Sequence, residues 1–210
     1  MPKTSSKTTY HHGDLRQALI EAALDLITES REAANVSLRE VARRVGVSQA
    51  APYRHFPDKE ALLAAVAEEG FQQLLAALRV AVSSLNDPVA RLQASGIAYV
   101  KFAIAHPAHY RVMFSSFRLD QVNYPSLNAV AGEAFSIMVD AISAAQAIGT
   151  IQPDNPRQLA WITWSLVHGL ALLLIDRQLP IVDEQEILSL VTLATQSLVR
   201  GLRQPVQNVS

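Results

Sequence analysis

The apolar positions of this chain recur with helical spacing almost from end to end. Leu15, Leu19, Ala22 and Leu26 step by four, three and four, which places them in one stripe along a helix. Leu38, Val41, Ala42 and Val45 repeat the pattern over a shorter run. No segment alternates apolar and polar residues long enough to predict a strand, and neither Asn-Gly nor Asp-Gly occurs as a hairpin signal.

Breakers divide the remainder. Pro57-Asp58 opens a long helix over about 58–84, with Asp58 as its N-cap and Glu60 in its first turn. Asn86-Asp87-Pro88 ends that helix and starts another, Asp87 capping it and Pro88 at the first helical position. His106-Pro107 breaks it. A short helix follows to about Ser116, then an irregular stretch to Tyr124. Tyr124-Pro125 opens a helix that ends at Gly149, Asn155-Pro156 one that runs to about Gln178, and Asp183 caps the last, to about Leu202. The prediction is an all-α chain of about nine helices: a polar arm, 1–9; a three-helix unit, 10–57; a connecting helix, 58–84; and a larger helical domain, 85–205.

One segment carries a recognisable motif. Ser37 and Glu40 stand at capping-box spacing before the short helix, the hydroxyl able to cap a free backbone N–H and the carboxylate to reach back. Gly46 follows, where the chain must turn with a positive φ. Val47 is apolar, and Ser48 is placed to cap a second helix. Two helices joined by a short turn containing glycine make a helix-turn-helix, whose second helix can enter a DNA major groove. The segment alone also fits an ordinary helical hairpin.

Composition adds little against this and excludes a good deal. Half of the residues are hydrophobic, enough for a sizeable core. There is no cysteine, so no disulfide, Cys-zinc site or cysteine nucleophile, in keeping with a reducing cytoplasm. The polar N-terminus is no signal peptide, and the longest strongly apolar run, Leu166–Ile175, falls short of the roughly 20 residues that span a bilayer, so no membrane association is expected. Net charge is −1. Residues 1–59 nevertheless carry nine basic against seven acidic side chains, a mild bias toward a nucleic-acid contact at that end.

Ser48-Gln-Ala-Ala-Pro-Tyr53-Arg54-His55-Phe56-Pro57-Asp58-Lys59-Glu60 resembles the TetR family of regulators: a Gly-Val-Ser turn, a recognition helix ending in Tyr-x-x-Phe, then Lys-Glu and an apolar pair. The likeness covers about 60 residues, and Tyr10-His-His-Gly-Asp-Leu-Arg16 resembles one branch of the family. It implies a motif from Ser37 to Phe56 in which Gln49 and Ala50 face base edges, Gln49 reading adenine and Ala50 a thymine methyl. Tyr53 and His55 reach the backbone, Ser37, Arg39 and Lys59 hold phosphates, Ser48 opens the recognition helix, and Val47 and Phe56 are core. One departure stands out: Pro52 occupies a position usually held by leucine, removing an N–H and crowding the cap carbonyl.

The C-terminal half holds no Gly-x-Ser-x-Gly, phosphate-binding glycine loop or His-Glu-x-x-His, so no catalytic residue is expected. Trp164-Ser-Leu-Val-His168-Gly169 resembles the Trp-His-Gly motif of one TetR-like C-terminal type, with Trp164 and His168 on one helix face. His168 is either a satisfied core histidine or a polar handle in a ligand pocket. By the same resemblance the short helix after His106 lines the ligand cavity, with His106, Tyr110, Met113 and Phe117 as candidates. His11-His12 and His106-x-x-His109 each offer only two ligands, so neither a metal nor a cofactor is expected. The last two helices carry surplus apolar surface at Leu166, Leu170, Leu173 and Leu174 and at Ile187, Leu190, Val191, Ala194 and Leu198. The family implies a homodimer through them. The resulting expectation is a cytoplasmic homodimeric repressor, not an enzyme, that binds a pseudo-palindromic double-stranded DNA operator and is released by an unknown small-molecule effector. The alternative is a helical ligand-binding protein or enzyme that does not use its helix-turn-helix on DNA.

Overall fold

The computed structural model describes residues 12–115, 124–181 and 183–203, with side chains from Leu15 onward. The arm of residues 1–9, His11 and Phe117 lie outside the described residues. Among these there are eight α-helices: α1 (His12–Ser30), α2 (Leu38–Val45), α3 (Lys59–Val82), α4 (Pro88–Ala105), α5 (Pro107–Met113), α6 (Pro125–Ala147), α7 (Pro156–Ile175) and α8 (Glu184–Leu202). Two short 3-10 turns, Ala33–Asn35 and Pro52–Arg54, complete the helical content. The only extended pairing among the described residues is an isolated bridge between Ile151 and Arg203.

Helix boundaries follow local capping chemistry. Ser37 Oγ accepts from the Glu40 N–H, Asp58 from Ala61, Asp87 from Val89 and Ala90, Asn155 from Arg157 and Gln158, and Asp183 from Gln185 and Glu186. Each such cap is worth about 1 kcal/mol. The capping box at Ser37 is only half formed, because the Glu40 carboxylate turns to Arg43 instead of reaching back. Gly46 closes α2 with φ of 79°, a conformation costly for any side chain.

The predicted ninth helix, after Ser48, is the 3-10 turn Pro52–Arg54. Ser48 does not cap it with its side chain; its carbonyl accepts from Ala51. Proline has no N–H to bond backward, so the chain closes i to i+3 bonds on either side of Pro52. Pro52 itself is buried and takes the core position expected of an apolar side chain.

The long helix α3 organises the molecule. Twelve of its residues are buried, from Leu62 to Val82. One hydrophobic cluster runs from Leu19, Ile27, Val41 and Phe56 through α3 to Tyr99, Tyr110 and Val167, so the helix-turn-helix and the C-terminal helices share a core. Helix α5 is wedged between α1 and α3. It comes so close to α3 that a Cβ on Gly70 would lie 2.6 Å from Met113 Sδ.

The expectation about apolar length needs correction. Helices α3, α6 and α7 are each long and apolar enough to cross a membrane by length and composition. An uninterrupted apolar run is a stricter requirement than a helix has to meet, and these helices carry scattered polar residues along their length. Most of α3 is buried within the fold, but only a minority of α6 and α7 is.

Candidate functional site

The N-terminal end presents one exposed edge. Ser48, Gln49, Ala50, Tyr53 and Arg54 are all exposed, and Tyr53 keeps 52% of its surface open. Behind them Pro52 and Phe56 are buried, with Phe56 only 3% exposed, and the Arg16 guanidinium lies 5.4 Å from its ring centre. Tight turns on a buried proline and phenylalanine therefore fix which side chains face outward. His55 is half-buried, its N–H bonded to the Pro52 carbonyl.

The flanking cations divide into engaged and open groups. Arg44 is bound by Glu29 at 2.6 Å, and Arg43 by Glu40. Arg39 and Arg54 are exposed with no ion pair among the described residues, leaving their donors available to phosphate. Lys59 is half-buried and donates to the Ala34 carbonyl at 2.5 Å, tying the start of α3 to the loop before α2. Ser37 is exposed but spends its hydroxyl as an acceptor in the α2 cap.

The C-terminal half encloses a cavity of about 300 Å³ between α3, α4, α6 and α7. Its wall is mostly apolar and includes Leu74, Leu78, Tyr99, Phe135, Met138 and Trp164. A second, more open space of about 630 Å³ lies toward the helix-turn-helix, bordered by Arg31, Lys59, Tyr110, Arg111 and His168. Phe114 borders both spaces and packs on Tyr110, Trp164 and His168, with ring centres 4.9, 5.9 and 4.7 Å away.

A buried polar chain runs through this wall. Trp164 Nε1–H donates to Tyr99 Oη at 3.0 Å. Tyr99 Oη lies 3.1 Å from Tyr110 Oη and 3.0 Å from His168 Nδ1, and Tyr110 Oη lies 2.6 Å from the same nitrogen. Indole can only donate, so Tyr99 accepts from Trp164; with His168 as the neutral Nε2–H tautomer, Tyr99 donating to Tyr110 and Tyr110 to His168 Nδ1 satisfies every group in the chain. Burial pushes the Tyr99 phenol up to about 12 and raises Tyr110 as well, so both remain protonated donors. Burial lowers the affinity of His168 for a proton. His109 is lowered too, by burial against the opposing pull of Glu69, and its buried Nε2 has no hydrogen-bond partner among the described residues, lying 4.0 Å from Glu69.

The predicted ligand residues therefore separate. Tyr110, Trp164 and His168 come together in the polar chain. Met113 is buried against Gly70 and lines neither space, and His106 is exposed beside Phe102 and His109. The rotation of α5 decides this: the close approach at Gly70 turns Met113 to α3 and Tyr110 to α7. Tyr99, Phe114 and Arg157 were not among the candidates. Tyr99 carries a single polar atom, and nothing near it in sequence marks it. Among the described residues no cluster of three metal-ligating side chains occurs.

The last two helices also differ in detail from expectation. Leu173 is exposed, and Leu166, Leu190 and Ala194 are half-buried. Val191, however, is buried, Leu170, Leu174 and Ile187 pack on the main core, and Leu198 packs on a smaller cluster. Trp161, Ile162 and Leu193, 49%, 53% and 57% exposed, are further open apolar residues that the expectation did not include.

Residues 19–66 match the family model for bacterial regulatory proteins of the tetR family, and residues 92–195 that of the tetracyclin repressor-like C-terminal domain. Among solved structures, a protein of unknown function from Rhodococcus sp. RHA1 is 33% identical, with 94% of this chain and all of that chain covered and a TM-score of 0.78. A bacterial regulatory protein in the tetR family from Rhodococcus RHA1 is 21% identical over 90% of this chain and 97% of that one, at a TM-score of 0.74. The TetR family transcriptional regulator PfmR from Thermus thermophilus shares the fold at 19% identity and a TM-score of 0.69, covering 89% of this chain and 99% of its own.

Proposed function

Because the chain belongs to the TetR family of bacterial regulators, we propose that it is a homodimeric repressor released from a pseudo-palindromic operator by a small molecule held in the cavity between α3 and α7. Membership makes it a DNA-binding transcriptional regulator and not an enzyme, which sets aside the reading with an idle helix-turn-helix. Family members bind DNA operators and small effectors and are typically dimers. A DNA operator as partner makes the cytoplasm its working compartment.

The observation that carries the reading is the exposed edge Ser48–Ala50, Tyr53 and Arg54 braced on buried Pro52 and Phe56. Gln49 and Ala50 supply base-edge contacts, Tyr53, His55, Ser37 and Arg39 the backbone contacts, and Lys59 one spare pair of donors beside its bond to Ala34. Exposed Ile162, Leu173 and Leu193 supply the two-fold interface on α7 and α8. Helix α3 joins both sites through one core, so ligand weakens DNA binding by the same factor as DNA weakens ligand binding.

The test is a gel shift with the regulator's own upstream region. Binding is expected to fall steeply with salt, to require both half-sites, and to drop about 10- to 100-fold for Gln49→Ala. Equal binding to any duplex at low salt would remove the operator reading.

A further inference from the structure

Resting on the reading of the α3–α7 cavity as the effector site, we infer that its ligand is an amphipathic organic anion, with an apolar body in the cavity and a carboxylate on Arg157.

The wall decides the body. A lining dominated by leucine, phenylalanine, methionine and tryptophan side chains rewards only apolar surface, and about 300 Å³ is at the small end of ligand pockets. The neutral polar groups on the wall are already occupied. Ser95 Oγ donates to the Leu92 carbonyl at 2.8 Å, Trp164 N–H to Tyr99, and the Tyr99 hydroxyl belongs to the chain ending at His168. Diverting any of them to a ligand would give up a hydrogen bond already made within the fold.

Arg157 is the exception. It lines the cavity from the first turn of α7 and is exposed. Its guanidinium carbon lies 5.6 Å from the Phe135 ring centre and 5.9 Å from that of Trp161. Aromatic faces hold the cation there, and no carboxylate among the described residues pairs with it. The described lining contains no Asp or Glu at all. An ammonium ligand would meet one like charge and no carboxylate in the described lining. A neutral ligand would gain only a single weaker hydrogen bond to an uncharged oxygen from Arg157. A carboxylate meets a planar fork of unused donors that fits it in two parallel hydrogen bonds.

The experiment uses the full chain and three probes with one body and three heads: decanoate, decanol and decylamine, titrated calorimetrically below their aggregation concentrations. Decanoate is expected to bind about tenfold tighter than decanol, the value of one charge-assisted contact at a half-open site, and decylamine weakest. Arg157→Gln should bring decanoate to the level of decanol while leaving decanol unchanged. Gly132→Phe, which adds a ring at a lining position where a Cβ meets nothing within 4 Å, should abolish binding of all three. Equal binding of decanoate and decanol, both lost in Gly132→Phe, overturns the anion assignment and leaves the effector cavity standing. Failure of every probe to bind, or binding that survives Gly132→Phe, overturns both.

Discussion

The two ends of α3 use their polar side chains in opposite ways. At the helix-turn-helix end the hydrogen bonds of Ser37 and Asp58 span three residues, join a side chain to the nearest free backbone N–H, and lie at the surface. At the cavity end the bonds of Tyr99, Tyr110, Trp164 and His168 span 11 to 69 residues, join side chain to side chain, and are partly or fully buried. The first kind sets where one helix begins. The second sets how α4, α5 and α7 sit relative to each other. A DNA-reading unit needs rigid local geometry, and a ligand-responsive one needs elements whose mutual placement a small molecule can shift. If this contrast holds, losses at the two ends should differ in size and in reach.

The largest effect is expected at Tyr110, which is fully buried. Tyr110→Ala removes the ring between α5 and α7 together with its hydroxyl's bonds to Tyr99 and His168, for a loss of about 3–5 kcal/mol. Tyr110→Phe keeps the ring and removes only the hydroxyl, for about 1–3 kcal/mol. Urea denaturation measures both, and hydrogen exchange should show loosening across α4, α5 and α7 together. A Tyr110→Phe cost within experimental error of zero would mean that the chain of hydroxyls does not hold these helices. The contrast between the two ends would then be one of packing alone.

Ser37→Ala tests the other side of the comparison. It should cost about 1 kcal/mol, because the Glu40 N–H loses its acceptor at a solvated helix end where water can substitute. The reach should be short: faster exchange at the first turn of α2 and none in α7. Spread of the effect to the cavity would show that the shared core transmits even cap losses.

The same distinction governs what could be read from the sequence. Local devices were legible. Asp58, Asp87, Asn155 and Asp183 stand at the helix starts they cap, and Gly46 adopts the positive φ its place in the turn demands. Trp164 and His168 were legible through their resemblance to the Trp-His-Gly motif, and helical spacing puts them on one face. Three things were not. Pro52 shortens its helix to a 3-10 turn because a core site is there to receive its ring, which is a tertiary fact. Tyr99 acquires its role from partners 11 to 69 residues away. Met113 and Tyr110 exchange importance according to the rotation of α5, which the missing side chain of Gly70 permits and no periodicity encodes.

The smallest effect is a change in the pH dependence of stability, and it sharpens the comparison by locating the titrating groups at one end. Burial lowers the proton affinity of His168 and of His109 below the ordinary histidine value of 6.5, while Glu69 partly opposes the shift at His109. The unfolded chain therefore binds more protons than the folded one once pH falls below about 6.5, and stability drops with pH from there until both folded rings protonate. Above that range these rings are neutral in both states and contribute no slope. The effect is modest because His168 is only half-buried and Glu69 offsets part of the burial at His109. Protonation puts a hydrogen on His168 Nδ1, so the nitrogen that accepted from Tyr110 must donate to it, while Trp164 still donates to Tyr99 at the other end of the chain. Melting temperatures between pH 7.5 and 5.5 should fall for the native chain and fall less for His168→Asn. The control is Ser37→Ala, which lowers stability at the other end of α3 without removing a titrating group and should keep the native slope. An unchanged slope in His168→Asn would take the pH-sensitive element away from the cavity end of α3.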